Sequence, residues 1–174
     1  MDWVLLLKSL GNAGLSVQSV GPWVASSTGS KYTTGDSVAV CVTWRTAPTT
    51  SEDTQAAAII AAQSALGSVQ QQAIAALSQQ ANAAVAAVYA PTTLSLLNAI
   101  YAQALFSGLV NRAAYLAPVV AWGNGIAAAT EAAVEAVLAA TTPADVDAVT
   151  LSLPAPPWGS GPAPSRTGAM AIVN

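Results

Sequence analysis

From Thr54 to Asn111 the chain carries not one Asp, Glu, Lys or Arg, and this constrains it more than any motif. A folded monomer stays dispersed in water through ionisable surface, and an ordinary soluble domain is about a quarter charged. Here only 7% of the residues are charged, while 53% are hydrophobic. Much of the folded surface is therefore expected to be covered, by copies of the same chain and other proteins or by lipid. A length of 174 residues suits one ordinary domain, or one domain with extended arms, and is enough to bury a core.

The charges that exist exclude several function classes. The basic residues Lys8, Lys31, Arg45, Arg112 and Arg166 are scattered, whereas nucleic-acid binding displaces counterions with clustered Lys and Arg. No nucleic-acid partner is expected. The chain has no His, which removes the commonest general base and metal ligand. With Cys41 as the single cysteine, the usual zinc sites and any internal disulfide are also excluded. Cys41 itself lies in an alternating apolar run and reads as a small core residue. The carboxylates Asp2, Asp36, Glu52, Asp53, Glu131, Glu135, Asp145 and Asp147 read as caps, a turn and a solvated helix face, not as a catalytic pair. Gly123-Asn124-Gly125 lacks the further glycine, the strand and the lysine of a phosphate cradle. No catalytic, cofactor-binding or metal residue is assigned, and an enzyme is not expected. The first residues do not read as a secretion signal, since Asp2 replaces the positive start and Lys8 interrupts the apolar run.

The pattern along the chain predicts an α+β protein: an Ala-rich bundle of two or three long helices, a small N-terminal antiparallel β region and an extended C-terminal Pro/Gly arm. The expected divisions are residues 1–50, 51–149 and 150–174. In the first, the alternation of Val38, Val40, Val42 and Trp44 against Ala39, Cys41 and Thr43 marks a strand. Its partner is read in Leu15 to Ala25, with turn chemistry at Gly29 and at Thr34-Gly35-Asp36. From Ser51, read as an N-cap ahead of Glu52 and Asp53, an Ala/Gln helix runs toward Ala90 and Pro91. Its stripe includes Leu66 and Leu77. A second helix is expected from Thr92 to Leu116, capped by Thr92 or Thr93 and apolar round most of its circumference. Pro118 and Gly123-Asn124-Gly125 are expected to break it from a third, about Ile126 to Ala140.

Thr142, Pro143 and Asp145 match the N-cap, first and third positions of a short helix. A strand is expected over Thr150 to Leu153. The tail beyond carries Pro154, Pro156, Pro157, Pro162 and Pro164, has no core of its own, and needs a surface to lie on. Trp is enriched where proteins meet. The candidate interface is therefore Trp3, Trp23, Leu66, Leu77, Trp122 and Trp158, with Trp158 inserted into a neighbouring subunit. Trp44 reads equally as core.

The stretch Ala136 to Val149, in which a helix ends in small residues and threonines and a short acidic helix resumes, resembles a pattern in bacteriophage tail-fibre and tail-accessory proteins. It covers under about a tenth of the chain, and capped helix pairs produce such a pattern readily. Few charges, Ala/Gln/Thr-rich helices and two arms are likewise similar to phage virion parts. The resemblance implies a virion component of tail, baseplate, fibre or head decoration. Such a component forms a homo-oligomer, a trimer or a ring, with other virion proteins as partners, and the resemblance transfers no functional residue. Ala83 to Thr93 is more weakly similar to the paired-helix PE proteins of mycobacteria, whose later motifs are missing. The alternative is a small pore-forming or holin-like membrane protein, against which Asn98 and Gln103 stand near the middle of the most apolar helix.

Overall fold

The computed structural model describes residues 3–34, 38–159 and 161–172. The fold is α+β, with a three-stranded antiparallel sheet and long helices. The chain forms two compact units, Met1–Gln71 with Thr141–Pro143, and Gln72–Ala140 with Ala144–Asn174. The division falls inside the long helix and not near residue 50.

In the first unit, residues expected to be β-rich open instead with a helix, α1 (Trp3–Asn12). Leu6 and Leu10, one turn apart, are both fully buried. The helix closes by a Schellman motif: Leu15 N–H donates to Leu10 O at 3.2 Å, Gly14 N–H donates to Gly11 O at 3.0 Å, and Gly14 takes φ +80°. Leu15 follows into the core. The Leu5-Leu6-Leu7 run hides this helix from pattern reading, because three successive leucines fit neither a period of two nor one of 3.6.

Strands β1 (Val17–Pro22), β2 (Ser30–Thr33) and β3 (Ala39–Trp44) follow, in the order β1-β3-β2. Val20 pairs with Val42, and Tyr32 with Val40. The core face of β3 is the predicted one, with Val40 and Val42 fully buried, although Val38 lies before the strand and is exposed. These side chains pack with Leu6, Leu10, Leu15, Val17, Tyr32, Ala56 and Ile60. Gly29 passes so close to β3 that a Cβ there would overlap the Val42 carbonyl and sit 2.8 Å from Cys41 Sγ. Gly35 and Asp36 of the expected turn lie outside the described residues. Thr34 on its near side is buried and accepts from Val38 N–H at 3.1 Å.

Helix α2 (Thr50–Ala86) starts one residue before the expected cap. Thr49, not Ser51, caps it: Glu52 N–H donates to Thr49 Oγ1 at 3.3 Å, and Thr49 N–H donates to Glu52 Oε2 at 2.7 Å. This reciprocal pair is a capping box; the Thr49 N–H, and less strongly the Thr49 hydroxyl, which also donates to Glu52 Oε2 at 2.8 Å, pull the Glu52 carboxyl below its usual range. Tyr32 Oη donates to Asp53 on the next position. Burial, then the bond and charge of Asp53, push the phenol up to about 12.

The second unit contains the later part of α2, α3 (Pro91–Phe106), α4 (Val110–Ala139), all but the first residue of α5 (Pro143–Asp147), and α6 (Arg166–Ala171). Neither Thr92 nor Thr93 caps α3. Ala90 precedes it without a side-chain bond, and Pro91 takes the first helical position. The expected break at Pro118 is also absent. The chain turns at Ser107-Gly108-Leu109, again by a Schellman closure, with Leu109 N–H donating to Ala104 O at 2.8 Å and Gly108 at φ +67°. Helix α4 then runs through Pro118 and Gly123-Asn124-Gly125. Its buried seam, Ala113, Leu116, Val119, Trp122, Ile126, Ala133 and Val137, crosses both. An interior Pro costs roughly 3 kcal/mol and each Gly about 1, which burial of Leu116, Val119, Trp122 and Ile126 at about 1.5–3 kcal/mol each exceeds. Helix α5 begins at Pro143 as predicted. Thr150 to Leu153 forms no strand; Leu151 and Leu153 pack on the helical core instead.

Candidate interaction surfaces

The tail lies on its own chain. Leu151, Leu153, Trp158 and Ala163 pack against Tyr89, Leu97, Leu116, Val119 and Trp122, so residues 150–159 and 161–171 form a strap across the helices. Trp122 Nε1 donates to Pro154 O at 3.0 Å, and Tyr89 Oη donates to Pro164 O at 2.8 Å. The Trp158 ring stands edge-on to both, its centroid 5.5 Å from Trp122 and 5.8 Å from Tyr89. Ring donors aimed at proline carbonyls from an aromatic-lined trough are the means by which Pro-rich ligands are recognised elsewhere, here within one chain. Burial, with the nearby Tyr115 second, pushes the Tyr89 phenol up to about 12.

Two glycines let the strap approach. A Cβ on Gly125 would stand 3.2 Å from Pro154 Cγ, and one on Gly168 would overlap the Tyr115 hydroxyl. That hydroxyl accepts from Ser165 N–H at 3.1 Å, Ser165 caps α6, and Arg112 Nη2 donates to Ile172 O at 3.0 Å. Gly125, read in the sequence as part of a turn, is thus a seat for proline in mid-helix.

The second surface is the α3–α4 elbow. Phe106, the one phenylalanine of the chain, is 94% exposed, and beside it Leu105 is 58% and Val110 71% exposed. Sequence reading placed these residues inside a single buried helix. The Gly108 turn puts them at a tip, and Ser107-Gly108 was the signal for it.

Of the six residues proposed as interface, Leu66, Leu77 and Trp122 are buried within the chain. Trp3 is half-buried against the first core. Trp23 is half-buried with Lys31 Nζ 5.5 Å above its ring. Trp158 fills the trough of its own chain instead of a neighbour's pocket. Trp44 packs at the margin of the first core and donates from Nε1 to Ser30 Oγ at 3.1 Å. In the second unit an open groove of about 570 Å³ runs between α2 and α4, walled by Ala81, Val85, Ile126, Thr130 and Val134 with Glu131 among its lining residues.

Among the described residues no group of three or more His, Cys, Asp and Glu is placed to hold a metal ion. Cys41 is buried. No single helix among them is long and apolar enough to cross a membrane, and α2 with α3 reaches that length and composition only as a pair bent by 72°. No family model, no curated protein and no solved structure matches the chain.

Proposed function

We propose that this chain is a non-enzymatic structural subunit of a bacteriophage virion, a component of tail, baseplate, fibre or head decoration, that self-associates and contacts other virion proteins. The observation that carries self-association is the elbow: Leu105, Phe106 and Val110 stand exposed together at the end of a stretch without charge. Fully covering one such phenylalanine is worth about 1.5–3 kcal/mol, and a symmetric particle repeats the gain at every subunit. The virion assignment draws on the resemblance of Ala136 to Val149 to phage tail-fibre and accessory proteins and on the charge-poor composition.

A second reading, a pore-forming or holin-like membrane protein, draws on the bent α2–α3 pair. Sedimentation of the wild-type chain and a Phe106→Ser variant, with and without liposomes, separates the two. The structural reading expects a lipid-free multimer that the variant weakens by tenfold or more in concentration. Equal masses for both proteins would remove the elbow from the account, and flotation with liposomes would favour the membrane reading.

A further inference from the structure

We propose that the strap is exchangeable: the trough on α2–α4 that holds residues 150–171 of its own chain also accepts the same residues of a second copy, linking subunits by arm exchange. The inference deepens the self-association proposed above and rests on it.

Three observations lead there. The first is how the strap is held. Over residues 150–165 its hydrogen bonds to the helices come from side chains, Trp122 Nε1, Tyr89 Oη and Tyr115 Oη. Among the described residues its backbone–backbone bonds are local: Gly159 to Pro156, Gly161 to Trp158 and, at the start of α6, Ala169 to Ser165. Lifting it therefore breaks no helix and no strand ladder. The second is that the trough cannot stand empty. Trp122 is 4% and Tyr89 6% exposed with the strap in place, and its removal would open two large aromatic rings and the apolar seam beneath them to water. Whatever leaves must be replaced. The third is identity. A second copy offers the same Pro154 and Pro164 carbonyls, the same Trp158 edge and the same proline-set backbone, so the exchanged contact reproduces every closed one. Exchange of an identical element is a low-cost route between protomers, and a rigid Pro-rich segment loses little entropy on docking. The closed form is favoured by the tether, which supplies an effective concentration in the millimolar range, and the exchanged form by the crowding of subunits in a particle.

The geometry supplies its own test. A Cβ on Gly125 lies 3.9 Å from Pro154 Cβ, inside the span of roughly 3.5–4.5 Å that a disulfide bridges. In a Cys41→Ser background, full-length G125C and P154C chains carrying different tags are co-expressed and oxidised, beside the G125C/P154C double variant. Arm exchange predicts that the double variant closes a bond and that the mixture yields a covalent heterodimer several-fold above either homodimer. Closure of the double variant with no excess of heterodimer would overturn exchange. A multimeric mass in that same sample would leave self-association standing. Failure of the double variant to close would place the strap off the trough and overturn the inference at its base.

Discussion

Replacement of Trp158 by Ala tests whether the strap is part of the fold. The ring makes two edge-on aromatic contacts, to Trp122 at 5.5 Å and to Tyr89 at 5.8 Å, each worth about 0.5–1.5 kcal/mol beyond area. It is half-buried, so the lost apolar burial adds about half of the roughly 1.5–3 kcal/mol of a fully covered large side chain. The sum is roughly 2–4 kcal/mol. Urea unfolding followed by far-ultraviolet circular dichroism should show the midpoint falling by about 1–2 M for a slope of about 2 kcal/mol/M. The near-ultraviolet signal of the aromatic cluster should collapse in native buffer. Trp158→Phe should recover about half the loss. A midpoint shift under about 0.2 M with the aromatic signal intact would mean that the strap is an appendage, and the trough argument would fail.

Tyr32 and Tyr89 each have a phenol raised from 10.0 to about 12. A raised folded value leaves stability whole below pH 10 and removes it as pH climbs through 12, on the order of 1–2 kcal/mol per tyrosine once solvent screening is allowed for. Thermal melts should fall steeply over that window, and Tyr32→Phe should flatten part of the fall. Thr49→Ala removes the capping box of α2 and should cost about 1 kcal/mol in unfolding titrations, with Ser51→Ala near neutral. Pro118→Ala, at an exposed position inside α4, should restore a helical hydrogen bond and raise Tm by several degrees, up to about 3 kcal/mol.

What was legible in the sequence was local. β3 showed in its alternation, α5 in the Thr142-Pro143-Asp145 spacing, and α2 in an Ala/Gln run between a capping group and Pro91. Where the reading failed, something distant decided. Pro118 and the two glycines of α4 are breakers by propensity, but the seam from Leu116 to Ile126 crosses them and is buried by α3 and the strap. Ser107-Gly108 breaks the chain instead because its closure needs only local backbone bonds. The destination of the tail was invisible: Trp158 meets Tyr89 and Trp122 across long sequence separations, and no periodicity encodes which surface a proline segment will find. Trp122 and Trp158, expected to reach other subunits, pack instead within their own chain.

On the proposed reading, exposed apolar surface on this charge-poor chain is covered by further copies of it. Sedimentation equilibrium of the wild-type protein in detergent-free buffer measures this directly. The expected result is a discrete mass at three or more multiples of 17.3 kDa, held across dilution into the micromolar range. A single species at 17.3 kDa, soluble and stable at high concentration, would contradict it.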